Sequence, residues 1–170
     1  LILASSSEIR IQILENNNIS YIAKNHNYDE KILKSDKTLN PINLSLELAR
    51  EKSLSLAYSY NDHVILGCDQ ICLLGDKIFS KPLNSKKAIA NLSKLSGKTH
   101  QLIGSYSFTR NGDVLYEETI TTNMTMKPLT ETEINDYVEQ PKPIISAVEE
   151  LFNGDLEWSS NEFIESEDEM

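Results

Sequence analysis

The stretch Val64-Ile65-Leu66-Gly67-Cys68-Asp69-Gln70-Ile71-Cys72-Leu73-Leu74 is apolar along most of its length and carries one acidic residue near its centre. His63 to Cys68 reads as a buried strand, and Gln70 to Leu74 with Lys77 to Phe79 flank Gly75-Asp76 as a hairpin. An ionised carboxylate in such a run costs several kcal/mol if it is buried alone. Asp69 therefore calls for a metal, a cation, or a strand end that opens onto a cleft. The ordinary alternative is a turn aspartate at a strand end. Cys68 and Cys72 share one face of the strand by their even spacing, and they read as two reduced core residues. A metal site would need further ligands at suitable spacing, and His26, His63 and His100 form no motif.

Working outward, Leu1 to Ala4 reads as a strand, followed by the turn Ser5-Ser6-Ser7 and a helix from Glu8 to Asn17, with serine expected to cap its entrance. Ile19 to Ala23 reads as a second short strand. Residues 25–42 are polar and read as a loop with a helical turn. Asn43 to Tyr60 reads as a long helix with Leu46, Ala49, Leu56, Ala57 and Tyr60 near one face. Beyond the central stretch, Asn84 to Ser96 reads as a helix with Ala88, Ile89, Leu92 and Leu95 inward and Gly97 as its stop. Thr99 to Thr109 and Asp113 to Thr122 are strands around the turn Asn111-Gly112, and strand character continues to Lys127. Thr130 and Glu133 form a capping box for a helix reaching Glu139. After Pro141 and Pro143 the pattern weakens, with Leu151, Phe152, Trp158, Phe163 and Ile164 as the last apolar anchors. Alternation early and strands later predict an α/β fold with a mixed sheet in a single domain over residues 1–170.

Composition narrows the partners. The formal net charge of −10 is uneven: residues 1–116 carry +3 and residues 117–170 carry −13. Overall repulsion argues against a nucleic-acid polymer, while converging lysine and arginine in the first two thirds suit a small phosphorylated ligand. No apolar run is long enough to span a bilayer, so no membrane is expected. Leu1-Ile2-Leu3-Ala4 lacks the basic flank of a signal peptide, which predicts a cytoplasmic protein. The start at Leu1 rather than Met reads as a short missing start.

Four further residues join Asp69 as candidates. Lys81 precedes Pro82, which restricts it to extended backbone and suits a fixed phosphate partner. Lys52 falls beside the apolar stripe of its helix, so its stem can follow the core edge while the ammonium reaches a ligand. Arg10 lies in the first turns of the helix after the serine cluster, where N–H groups, helix dipole and guanidinium together favour phosphate oxygens. Glu30, after Asp29, is a second carboxylate for a divalent cation, and hard oxygen donors suit magnesium or manganese. Each residue alone also has an ordinary reading: a solvated lysine, a common serine-capped helix, or a loop acidic pair.

In order, the segments Leu3-Ala4-Ser5-Ser6-Ser7-Glu8-Ile9-Arg10, Asp29-Glu30, Leu48-Ala49-Arg50-Glu51-Lys52, Ile65-Leu66-Gly67-Cys68-Asp69-Gln70, Ser80-Lys81-Pro82 and Leu95-Ser96-Gly97-Lys98-Thr99-His100 resemble the Maf family of nucleotide pyrophosphatases. Asp69-Gln70 and Ala49-Arg50-Glu51-Lys52 look most like its 7-methyl-GTP pyrophosphatase branch. The resemblance implies an elongated α/β fold with a central cleft, shared with inosine-triphosphate pyrophosphatases, and often a homodimer. It implies hydrolysis of a non-standard nucleoside triphosphate to the monophosphate and pyrophosphate, with a divalent metal. By the same resemblance Asp69 is the general base and a metal ligand with Glu30. Arg10, Lys52 and Lys81 hold the triphosphate, with Ser7 at the helix start. Ile9 and Gln70 fall where the family tunes base choice, and Asn153 stands near its C-terminal selector.

Two departures accompany the match. Ile9 replaces the basic or aromatic residue the family carries, which removes a stacking surface for a methylated guanine. Val148 replaces a family glycine, and the family's later Gly-Leu-Pro segment and last helix are absent. These favour a second reading, a nucleotide-binding or division-linked protein of the same fold with weakened turnover. A third reading is an enzyme with relaxed base preference.

Overall fold

The computed structural model describes residues 1–140. Its elements in chain order are β1 (Ile2–Leu3), α1 (Glu8–Asn16), β2 (Ile22–Ala23), α2 (Lys31–Lys34), α3 (Pro41–Leu54), β3 (Ile65–Leu74), β4 (Lys77–Phe79), α4 (Ser85–Leu95), β5 (Thr99–Arg110), β6 (Asp113–Thr125) and α5 (Glu131–Val138). Strand order is β2-β1-β3-β5-β6, with β4 pairing to β3. β1 runs parallel to β2 and β3, with Ile2 opposite Ile65, and β4 returns antiparallel along β3, with Cys72 opposite Phe79. The expected α/β class with a mixed sheet and flanking helices is the one observed.

Contacts divide the chain into two compact units. The first comprises Leu1–Ile71 and Ile103–Thr121, and the second comprises Cys72–Leu102 and the chain from Thr122. In the first unit, Ile2, Ala4, Leu56 and Ile65 form one apolar cluster. Leu3, Leu14 and Leu66 form another, joined by Ile11, Cys68, Tyr106 and Phe108. Gly67 lets α3 lie directly on β3: a Cβ there would stand 2.0 Å from the Ala49 carbonyl oxygen and 2.8 Å from the Ser53 nitrogen. In the second unit, Cys72, Phe79, Ala88, Leu92, Leu95, Met126, Ile134, Tyr137 and Val138 make the core. Of the inward face expected for α4, Ala88, Leu92 and Leu95 are buried and Ile89 only partly so, with Asn91 added to it.

Local turn chemistry behaves as its residues dictate. Asn111 and Gly112 take φ of 52° and 86° between β5 and β6, and Gly75 takes 58° between β3 and β4. Gly97, at φ 67°, ends α4. Thr130 and Glu133 form the reciprocal cap of α5.

Four expectations need correction. β3 runs unbroken from Ile65 to Leu74, so Asp69 sits inside a strand and not at its end. α3 starts at Pro41, with Asn40 capping the Asn43 nitrogen, and stops at Leu54; residues 55–59 are turns and Tyr60 a bend. Its buried face is Leu44, Leu48, Ala49 and Lys52, while Leu46 is only half-buried. The second strand is shorter than read, since only Ile22–Ala23 pairs with β1. Among the described residues no helix is long and apolar enough to cross a membrane.

Candidate active site

Alternation along β3 turns Ile65, Gly67, Asp69 and Ile71 toward one face. The close seating of α3 over Gly67 brings Lys52 to the same place. Lys52 is 5% exposed and Asp69 9%, and the Lys52 Nζ donates to Asp69 Oδ1 at 2.8 Å. The same ammonium stands 2.8 Å from Glu30 Oε1, at the entrance of α2. One buried cation therefore serves two carboxylates from separate elements, which is the compensation that the β3 sequence demanded.

Glu30 has further partners. Lys34 donates to its other oxygen, and His26 Nε2 lies 3.5 Å from Oε1. Burial pushes the Glu30 carboxyl up, but hydrogen bonds and charge from Lys34 and Lys52 outweigh it and hold the group at about 2. Burial, then Lys52, pushes the His26 imidazole below its ordinary value, against the pull of Glu30. His26 is thereby disposed to be neutral beside the ion-paired cluster.

The β1–α1 turn supplies the next cation. Ser5 is buried, and its Oγ accepts from the Ser7 N–H and from Arg10 Nη1, both at 3.1 Å. Ser7 occupies the N-cap of α1 with extended backbone, yet its side chain makes no capping hydrogen bond, so the expected serine cap is not formed. The first turn of α1 keeps its N–H groups directed outward from the helix start, beside a guanidinium. Arg10 lies within electrostatic reach of His26 and Cys68. Cys68 and Cys72 are free, and burial raises both thiols, Cys72 to about 12, in keeping with two unreactive core residues.

The Maf-like protein family model matches residues 1–148. This chain belongs to the Maf family. It is 32% identical over 169 residues to a nucleoside triphosphate pyrophosphatase of Legionella pneumophila (strain Corby), covering 99% of this chain and 84% of that one. It is 36% identical over 141 residues to a protein of the same name from Rhodopseudomonas palustris (strain BisB18), covering 82% of this chain and 70% of that one. A 7-methyl-GTP pyrophosphatase of Bartonella quintana (strain Toulouse) is 34% identical over 139 residues, covering 81% and 70%.

Of the residues that the Maf resemblance singled out, the structure joins Lys52, Asp69 and Glu30 directly and sets Arg10 in the same electrostatic neighbourhood. Ile9 is half-buried on α1 and Gln70 is exposed on β3, one position from Asp69. Lys81 stands in the second unit, exposed, in the irregular segment ahead of buried Pro82. Asn153 and Val148 lie outside the described residues. Sequence reading passed over Ser5, His26 and Lys34. Only Ser5 had a signal, the serine cluster itself; the other two join the site through the path of residues 25–42, which carries no regular period. Among the described residues no group of three or more His, Cys, Asp or Glu side chains is placed to hold a metal.

Proposed function

We propose that this Maf protein is a nucleoside triphosphate pyrophosphatase, a hydrolase of the α–β phosphoanhydride bond. The observation that carries the reading is the buried Lys52 ammonium held between Asp69 and Glu30, next to the Ser5–Arg10 turn. Water attacks the α-phosphorus, the new P–O bond forms as the bond to pyrophosphate breaks, and the water proton passes to Asp69. Lys52 and Arg10 offset charge that develops on the phosphate oxygens. The outward N–H groups at the α1 entrance, with Ser7, receive a terminal phosphate. Lys81 enters the proposal as a further phosphate partner on the Maf resemblance of Ser80-Lys81-Pro82 alone.

A divalent metal fits the donor set. Glu30 and Asp69 offer hard carboxylate oxygens around one point, now neutralised by Lys52, and magnesium accepts one or two carboxylates when substrate phosphates complete its shell. Magnesium or manganese held by Glu30 and Asp69 would supply neutralisation of phosphate charge and Lewis-acid activation of water.

The preferred base is proposed to be a methylated guanine. Asp69-Gln70 supports it, as does likeness to the relative named for 7-methyl-GTP. Cytoplasmic location and a homodimeric state are part of the same proposal, the latter checked by sedimentation equilibrium.

The test is pyrophosphate release across 7-methyl-GTP, UTP, dTTP, CTP and ITP with magnesium or manganese. Asp69→Asn is expected to lower turnover by about 10²–10⁴-fold. Near-parental turnover by that variant removes Asp69 from the chemistry. Tight binding by calorimetry without release from any substrate favours the binding-protein reading instead.

A further inference from the structure

Glu30 is served by more positive charge than one carboxylate at the rim of a site requires. Its Oε1 lies 2.8 Å from the Lys52 ammonium and 3.5 Å from His26 Nε2, while its Oε2 accepts from Lys34. The two lysines differ in setting. The Lys52 side chain is 6% exposed and the Lys34 side chain 55%. Lys52 supplies the counter-charge that burial of Asp69 and Glu30 demands. The Lys34 pair is half in solvent, four residues apart along one short helix, and such a pair adds little to stability. Its ammonium is therefore available for another task.

The root of Lys34 is fixed, and its tip can travel. The Lys34 N–H donates to the Glu30 carbonyl at 3.0 Å, and the Lys31 N–H donates to Asp29 Oδ1 at 3.1 Å, so the turn of α2 is set from both ends. From that root a flexible stem carries a point charge with three donors. Lys34 also decides the charge of the cluster. Arg10 lies within electrostatic reach of His26, and with it the cluster holds three cations, Arg10, Lys34 and Lys52, against the two carboxylates of Glu30 and Asp69. The surplus is positive, as an incoming polyphosphate requires. Without Lys34 the two sides balance.

We propose that Lys34 is a further substrate-binding residue, an exchangeable lysine whose ammonium leaves Glu30 for a phosphate oxygen of the bound triphosphate. The proposal rests on the pyrophosphatase function above and adds a residue to its site. A triphosphate brings several anionic oxygens where Glu30 brings one carboxylate, so the exchange trades one charge-assisted hydrogen bond for stronger attraction. The same exchange uncovers Glu30 Oε2, the oxygen that Lys34 occupies, as a hard donor for a divalent cation arriving with the nucleotide. Lys34 carried no signal in the sequence, because its place beside the site follows from Glu30 reaching Lys52 across from α3.

The experiment measures binding of inorganic tripolyphosphate with magnesium by calorimetry, and KM and kcat for pyrophosphate release, in the full chain and in Lys34→Gln, Lys34→Arg and Lys37→Gln. Lys37 is an exposed lysine in the turn beyond α2 and serves as the control for general charge. Lys34→Gln is expected to bind tripolyphosphate about tenfold more weakly, the loss of one charge-assisted contact. KM should rise with it while kcat holds, because the contact is made in the ground state and the transition state alike. Lys34→Arg, which keeps the charge, should retain most of the affinity, and Lys37→Gln all of it. Melting temperatures should match the parent throughout; if Lys34→Gln melts early, Lys34→Met, which keeps the apolar stem, takes its place. Unchanged or tighter binding by Lys34→Gln overturns the proposal and leaves Lys34 as a counter-ion of Glu30. An equal loss in Lys37→Gln, or no binding of tripolyphosphate by the parent, overturns it too. If the parent binds tripolyphosphate but releases no pyrophosphate from any nucleotide, the pyrophosphatase reading fails, and the calorimetric comparison still decides Lys34.

Discussion

The two units bury different things. Among the described residues, the first encloses Lys52, Asp69, Ser5, Ser45, Ser53, Ser105, Ser107 and Thr109. The second encloses Asn91 and His100 as its polar members within a core of Leu, Ile, Phe, Met and Ala side chains. Asn91 is satisfied by the Ser80 carbonyl at 3.2 Å, and burial pushes His100 down, toward its neutral form. The second unit is thus an ordinary apolar core. The first has given part of its apolar interior to ions and hydroxyls, and of those named all but the Thr109 hydroxyl have a hydrogen-bond partner. A unit that keeps charge in its interior loses the pH tolerance and packing redundancy of a dry core.

The sharpest way to break this contrast is Lys52→Ala. Removing the ammonium leaves Glu30 and Asp69 facing each other in a half-closed site, and a broken buried pair costs about 3–5 kcal/mol. Urea denaturation at neutral pH should show a loss of that size, together with loss of pyrophosphate release. Adding Asp69→Asn and Glu30→Gln to the variant should recover much of the stability and none of the activity. A Lys52→Ala protein as stable as its parent would mean that the first unit does not depend on its ions.

In the second unit the matching change is Leu92→Ala, at a side chain 1% exposed in the α4 core. Its cost is about 2–5 kcal/mol, set by how far the cavity collapses. The loss should be nearly the same in mildly acidic buffer as at neutrality, because no ionised group of the site is disturbed. A strongly pH-dependent loss would show that this core is less apolar in its energetics than in its composition.

What could be read from the sequence follows from range. The turns at Asn111-Gly112 and Gly75-Asp76, the Gly97 stop and the Thr130–Glu133 cap are local, and each formed as its residues require. The α4 stripe was legible because the helix is regular throughout. The α3 stripe was misread: Leu56, Ala57 and Tyr60 pack from the segment after the helix, onto the Ile2 and Ile65 cluster, so counting them in the helical period rotated the face away from Lys52. The β3 sequence announced that Asp69 needs a counter-charge but could not name it, since the partner arrives from another element. Gly67 held the missing clue, as a glycine inside a strand marks a backbone approached closely by another element. Ser7 and Ser5 are indistinguishable in sequence, and only the fold shows that Ser5 holds Arg10.

The smallest effect tests whether the first unit's electrostatics extend beyond the Lys52 cluster. Arg50, two positions before Lys52 on α3, grips Glu117 of β6 with two hydrogen bonds of 2.7 Å, and Ser107 donates to the same carboxylate at 2.9 Å. Hydrogen bonding from Arg50 holds the Glu117 carboxyl below its ordinary 4.5, against the upward push of burial. Arg50 itself is raised, chiefly by its hydrogen bond to Glu117, and stays charged. A carboxyl lowered in the folded state gives stability that is complete above its unfolded value and is lost as pH falls through the folded one. Glu117→Gln should therefore be less stable than the parent at neutrality by about 1.5–3 kcal/mol, the range for hydrogen bonds to charged groups. The gap should hold down to pH 4.5 and close below it as Glu117 in the parent takes up its proton. Paired melts of parent and variant across that range read the effect directly. A gap that persists unchanged in acid would assign the loss to packing around Ser107 and Arg50 and not to the ion pair.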